Sequence, residues 1–402
     1  MKMKEFDIEK GPWRTEHAWV SSYNFMNGED KLPHVSIHDT TLRDGEQAPG
    51  VMFDADTKFK LAQKLDACGI EYIEAGFPAV GPAEKESVKR IANAGLKAKI
   101  TCLARANKED ILTAKECGVW GPIVEIPAGH PRIKYQFGWE EDTVIEKAYA
   151  AVSQSRDYGQ NPSLFLMDVF RATPSFIEKI IRKAVNEAGA ARLTLVDTTG
   201  VATPQAINAI FKFAREITNT PLEIHCHNDF GLAIANSLEG VRMGATSISS
   251  SFIGLGQRAG NTATEEIIMA LELLYGIKTG VDLTKLQALA SKVSELSGYS
   301  LSPHKPIVGS GNFTWEAGIP VAALSKMPVT VEPFEPELLG RKHDIVVGKK
   351  SGKANIIWRL KELNLEVPSD EKLSQLLDDI KGLSVQLGRA INNEEFIDIV
   401  KK

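Results

Sequence analysis

Between residues 35 and 252 the chain carries eight short runs rich in β-branched and apolar residues, each followed by a stretch with helical periodicity. The runs are VSIHD (35–39), EYIEAGF (71–77), KITCLA (99–104), IVEIPA (123–128), SLFLMD (163–168), RLTLVD (192–197), LEIHCH (222–227) and TSISSSF (246–252). Strands that alternate with helices pair in parallel, because a parallel neighbour is reached only through a crossover connection. The helical stretches include DADTKFKLAQKLDACG after the first run and TPQAINAIFKFAREI after the sixth, where Thr203 and Pro204 read as an N-cap and first helical residue. Eight such units in about 240 residues predict an α/β fold of the closed (β/α)8, or TIM, barrel type rather than an open doubly wound sheet.

The alternation sets the domain boundaries. Residues 34–277 form the expected barrel, and residues 1–33, with Trp13, Trp19, Tyr23 and Phe25, form an N-terminal arm expected to pack on the body or on another subunit. Residues 278–402 form a Pro- and Gly-rich linker and a small, mainly helical subdomain with helices in IIWRLKELN and DEKLSQLLDDIKGL. A net charge of -5 without a long basic run argues against nucleic acid or an anionic membrane as partner and favours small molecules. Four scattered cysteines without a CxxC pair point to a reducing compartment. With no apolar signal region and no stretch of membrane-spanning length, the cytoplasm is the expected location.

In a barrel of this type the chemistry gathers at the C-terminal ends of the strands. There the sequence places HDTTLRDGEQ, Glu74, Asp168 with Arg171, DTTG, HCHND and GLGQRAGN. His225 and His227 stand two apart on one strand and so share a face. Two imidazoles are expensive in an interior taken to be filled by Val, Ile and Leu, which favours metal ligation over two structural histidines. Barrel closure brings strands one, seven and eight together, so Asp44, His225, His227 and Asn261 form a candidate ligand set, with Asn261 alternatively a loop-capping amide. Mixed oxygen and nitrogen donors without thiolate suit Mg, Mn, Co or Zn. Cys226 lies between the histidines but points the other way. Arg43 can polarise a ketone or, more simply, pair with Glu74 or Asp39. Glu74 and Asp168 are further candidate catalytic groups, and Thr198 can donate a hydrogen bond to a carboxylate.

These residues resemble the DRE-TIM metallolyase superfamily, which includes isopropylmalate, homocitrate and citramalate synthases and hydroxymethylglutaryl-CoA lyase. LRDGEQ followed by ten residues and Lys58 resembles the first synthase signature, and LEIHCHNDFGLAIA the second. GLGQRAGNTATEE resembles the loop after the eighth strand, and LLGRKHDIVVGKKSGKANI the subdomain behind the barrel. The resemblance implies that Asp44, His225 and His227 bind a divalent cation with Asn261 nearby. It implies too that Arg43 contacts the keto oxygen of a 2-oxo acid, Gln47 lies at the substrate, and Thr198 meets the acid's carboxylate. Acetyl-CoA is the implied co-substrate, its enolate attacking the ketone before the thioester is hydrolysed. A homodimer is implied as well, because the family shares sites across subunits.

Three positions depart from the family pattern. Phe313-Thr314-Trp315-Glu316-Ala317-Gly318-Ile319-Pro320 stands where the synthases carry FxHxxGIH, so Trp315 and Pro320 replace both histidines, and an indole cannot act as a base near neutral pH. Gly256-Gln257-Arg258 stands for GER, losing a carboxylate. A histidine common after the fourth strand is replaced near Arg132, with His130 close by; Arg132 would supply a rim cation for a second anionic substrate group or else be a solvated loop arginine. The leading expectation is an acyltransferase joining an acyl-CoA to a 2-oxo acid. The alternatives are a carbon-carbon lyase running the same chemistry backwards on a hydroxy-acid or its CoA ester, and a non-catalytic paralogue that binds metal and keto acid.

Overall fold

The computed structural model describes residues 7–25 and 34–402; residues 1–6 and 26–33 of the expected arm lie outside the described residues. All eight runs form strands: β1 (Ser36–Asp39), β2 (Tyr72–Glu74), β3 (Lys99–Arg105), β4 (Gly121–Pro127), β5 (Ser163–Met167), β6 (Arg192–Asp197), β7 (Leu222–Cys226) and β8 (Ala245–Ser250). They pair in parallel in chain order, and β1 pairs with both β2 and β8, which closes the barrel.

The surrounding helices are α1 (Ala55–Cys68), α2 (Pro82–Ala92), α3 (Lys108–Cys117), α4 (Glu141–Asp157), α5 (Pro174–Ile180), α6 (Pro204–Ile217), α7 (Ala233–Arg242) and α8 (Thr264–Leu274). Their starts follow local chemistry: Asp54, Asn107 and Thr203 each accept a backbone N–H from the first turn of α1, α3 and α6. Gly69 ends α1 in the left-handed conformation at φ 94°, a position a side chain would strain.

The barrel interior differs from the expectation of Val, Ile and Leu. Its lower part holds a polar network centred on Glu223 of β7, which meets Arg192 Nη1 at 2.7 Å and His38 Nδ1 at 3.1 Å. Glu223 also accepts hydrogen bonds from Ser247 and Thr194, while His38 Nε2 lies 2.9 Å from Thr101 Oγ1. Above this network sits a small apolar layer of Leu103, Ile123, Phe165 and Val196. The alternate strand residues face the helices instead: a Cβ on Gly240 of α7 would press on Ile224, so the aliphatic residues of β7 serve the helix layer.

Chain contacts divide the molecule into two units, Gly28–Ser300, and Met1–Asn27 with Leu301–Lys402. The first holds the barrel and a further helix, α9 (Leu286–Ser297). In the second, β9 (Thr314–Trp315) pairs with β10 (Asp344–Ile345), joined by α10 (Gly318–Leu324), α11 (Lys353–Glu362), α12 (Asp370–Leu387) and α13 (Asn393–Val400). Ile356, Leu360, Leu376, Ile380 and Phe396 supply its core. The described arm packs within this unit, Ala18 bridging to Phe334 and Trp19 donating its N–H to Pro333 O. Trp315 packs beside Val321, Leu324 and Ile345, and its indole N–H donates to the buried Glu332 at 2.6 Å. Among the described residues no helix is long and apolar enough to cross a membrane.

Candidate active site

After β1 the chain folds back sharply, because Thr40 O accepts the N–H groups of Arg43, Asp44 and Gly45. This turn buries Arg43 and Asp44 at the barrel mouth, 7% and 2% exposed. On the far side His225 sits on β7 and His227 just beyond it, where His227 bridges to Asn261. Asn261 is carried by the loop after β8, whose Gly260 holds φ 81° and packs against Gly254 O, which leaves no room for a side chain. Arg258 closes the arc, pairing with Asp229 at 2.8 Å and donating to Thr198 O at 2.7 Å.

The structure brings Asp44, His225 and His227 together, with one donor atom of each lying within 4.8 Å of the others. Asp44 Oδ2 is 3.3 Å from His225 Nε2 and 3.9 Å from His227 Nε2, and the two imidazole nitrogens are 3.4 Å apart. Ser249 Oγ lies 2.7 Å from His225 Nδ1, which fixes the ring and leaves Nε2 facing the cluster. Asn261 Oδ1 is buried without a hydrogen-bond partner among the described residues, while its amide nitrogen donates to Leu255 O. Burial would raise the Asp44 carboxyl, but Arg43 and the two histidines hold it well below the usual carboxylate range. Burial, reinforced by His225, pushes His227 down to about 4, so the ring is neutral at neutral pH and one of its nitrogens offers a lone pair. Converging lone pairs, a carboxylate and an orphaned amide oxygen fit a hard or borderline divalent cation.

Arg43 lies over the same cluster. Its Nε is 2.8 Å from Glu74 Oε1 and its Nη1 is 3.3 Å from Asp44 Oδ1, while Nη2 meets no acceptor among the described residues. Burial opposes the Arg43 charge, yet Glu74 and Asp44 keep the guanidinium protonated. Asp39, the other partner considered for Arg43, is instead bonded by Thr41 and Thr264, and burial raises its carboxyl to about 6.

Thr198 Oγ1 accepts the Asp168 N–H at 2.8 Å, so its own hydroxyl hydrogen remains available to a ligand. Asp168 holds φ 68° and a bidentate pair with Arg171, whose Nε donates to Oδ1 and Nη2 to Oδ2, both at 2.8 Å. Gln47 Oε1 accepts from Gln257 at 2.7 Å, so the residue replacing the family's glutamate has a local partner. Arg132 donates to Gln136 at 2.9 Å, and His130 is exposed. Cys226 is fully buried and directed at Ser237 of α7, away from the cluster.

Beside Arg43 opens a 450 Å³ pocket lined mainly by Gln47, Met52, Phe53, Phe77 and Val80. Lys58 lies beneath it with its side chain at 0% exposure, 2.6 Å from Glu46 and 2.5 Å from Glu84. Those two glutamates accept the backbone N–H groups of Phe53 and Phe77, so one lysine ties both pocket loops to α1. Sequence reasoning missed this clamp, and it missed Ser249 and Glu125. For Glu125 a signal existed: it shares the inward parity of Ile123 on β4.

Residues 34–293 match the family model described as HMGL-like, and residues 307–387 match one described as homocitrate synthase post-HMGL domain-like. A homocitrate synthase of Methanopyrus kandleri is 42% identical over 88% of this chain and 89% of its own length. A 2-isopropylmalate synthase of Methanocaldococcus jannaschii is 37% identical over 91% of this chain and 71% of its own. The crystal structure of the Bacillus subtilis HMG-CoA lyase shares the fold with a TM-score of 0.60 at 24% identity, covering 67% of this chain and 96% of the lyase. The chain therefore belongs to the HMGL-like family, with a homocitrate synthase post-HMGL domain-like segment following its barrel in the sequence.

Proposed function

We propose that this protein is a divalent-metal-dependent acyltransferase that condenses acetyl-CoA, or another acyl-CoA, with a 2-oxo acid. The observation that carries the reading is the convergence of Asp44, His225 and His227 beside a buried Arg43 whose Nη2 meets no acceptor among the described residues. Asp44, His225, His227 and the orphaned Asn261 Oδ1 would hold the cation. When bound, it supplies Lewis-acid polarisation of substrate oxygens and a template for their placement. Arg43 Nη2 donates to the keto oxygen and stabilises the charge that grows there as the carbon-carbon bond forms. Glu74 holds the Arg43 plane through the 2.8 Å contact to Nε. Thr198 donates its free hydroxyl hydrogen to the acid's carboxylate. Asp168, locked to Arg171, supports that threonine through its backbone N–H and acts as a positioning residue. Arg132, with Nε unpaired, offers a cation to a second anionic group. The apolar pocket beside Arg43 suits the acyl end of the thioester.

The synthetic direction is supported by relatives named as synthases that align over most of the chain. The test is release of free CoA thiol when metal-loaded protein meets acetyl-CoA and a panel of 2-oxo acids. Thiol release that requires one of the acids is expected. Silence across the panel from folded protein overturns the reading.

A further inference from the structure

A condensation of this kind needs a group that removes a proton from the α-carbon of the acyl-CoA. The arginines and neutral hydroxyls of the barrel mouth cannot do so, which leaves carboxylates and histidines. Asp44, His225 and His227 form the ligand cluster. Glu74 is committed to Arg43, Asp168 to Arg171 and Asp229 to Arg258. Asp197 accepts the N–H groups of Val201 and Ala202. Glu223 lies in the network below.

Glu125 is different. It stands two residues beyond Ile123, whose side chain belongs to the inner apolar layer, and opposite Phe165 of β5 in the same layer. Alternation along β4 therefore aims its side chain into the barrel, above that layer. Phe165 itself touches the ring of His225 edge-on at 5.4 Å and lies 6.0 Å from the Arg43 guanidinium carbon. Among the described residues the Glu125 carboxylate makes no hydrogen bond and no ion pair. Glu125 is half-buried there, so its unpaired carboxylate faces the barrel mouth and is open to a ligand.

We propose that Glu125 is the catalytic base that takes the acyl-CoA α-proton, an inference that rests on the acyltransferase reading. The proton passes from the α-carbon to the carboxylate, and the C–H electron pair becomes the enolate. The α-carbon then forms the new bond to the keto carbon, whose C=O π pair moves to the oxygen. The proton held by Glu125 returns to that alkoxide, so the carboxylate is regenerated, and water then cleaves the thioester to release CoA thiol. Burial raises the proton affinity of Glu125 against the opposing charge of Arg43, which favours a base over a spectator.

The test uses the full-length, metal-loaded protein with the 2-oxo acid that gives the fastest CoA release. Glu125→Gln is expected to lower kcat about 100-fold or more. It should also stop deuterium uptake by the acyl α-carbon in heavy water, while KM for the 2-oxo acid stays within about threefold of the wild type, as expected for a group acting mainly in the transition state. Retention of kcat within about tenfold, or a change confined to KM or to the choice of 2-oxo acid, overturns the proposal. Should Glu125→Gln melt, Glu125→Asp keeps the charge on a shorter arm and must still lose about tenfold in kcat. A wild type silent with every 2-oxo acid overturns both readings, whereas an active wild type with an active Glu125→Gln overturns this one alone.

Discussion

A single hydroxyl fixes how His225 is presented to the proposed cation. Ser249 Oγ, 2.7 Å from Nδ1, holds the ring so that Nε2 points at Asp44. Ser249→Ala leaves the three proposed ligands in place but frees the ring, and about a tenfold loss in metal affinity is expected. Competition against a chelating dye reads this directly, and an unchanged affinity would show that packing against Phe165 alone orients the imidazole. The two histidines and Asp44 were legible from spacing and barrel closure. Ser249 was not, because a serine in a strand reads as filler until its register opposite His225 is known. Trp315 shows the reverse case: the sequence reports a lost histidine, and the structure shows what the indole does instead, filling the core of its own unit and bonding Glu332.

Among the elements, the loops after β1 and β2 depend on Lys58 of α1. Its ammonium is fully buried between Glu46 and Glu84, and those carboxylates hold the backbones of Phe53 and Phe77. Lys58→Met removes the cation and leaves two carboxylates facing each other. A loss of roughly 3 kcal/mol is expected, the low end of the range for breaking a buried pair, because both glutamates retain some solvent contact. Urea denaturation measures it, and a loss under about 1 kcal/mol would reduce the clamp to a surface-like ion pair. Strand positions were read from the sequence to within a few residues, since β-branched runs between helical stretches leave little choice. Helix α13 was not anticipated: its eight residues bury only Phe396 and Ile399, too few for a periodic signal.

Across the whole barrel, stability should follow the polar network of the interior. Burial would raise the Glu223 carboxyl, but His38 and Arg192 hold it below its ordinary value of 4.5. A carboxyl lowered in the folded state stabilises above its unfolded value and loses that contribution as pH falls through the folded one. Unfolding free energy should therefore drop as the pH is taken below about 4.5. Glu223→Gln should flatten that acid limb and cost roughly 3–5 kcal/mol at neutral pH, because Arg192 is left without its counter-charge. Asp39 acts with the opposite sign: raised to about 6, it costs stability as pH rises from 3.8 through that value. Chemical denaturation across pH, for wild type and variant, checks both limbs; parallel acid limbs would assign the loss to other carboxylates.

By itself the sequence determined the eight-stranded closure and the convergence of Asp44, His225 and His227 at the strand ends, because these follow from alternation, parity and chain order. Only the tertiary structure decided that the lower interior is a paired polar network beneath an apolar layer, that Lys58 is a buried hub and that Glu125 meets no partner among the described residues. Those facts depend on which side chains from distant strands meet, and whether a buried charge is satisfied is a property of the assembled neighbours, invisible in any one segment.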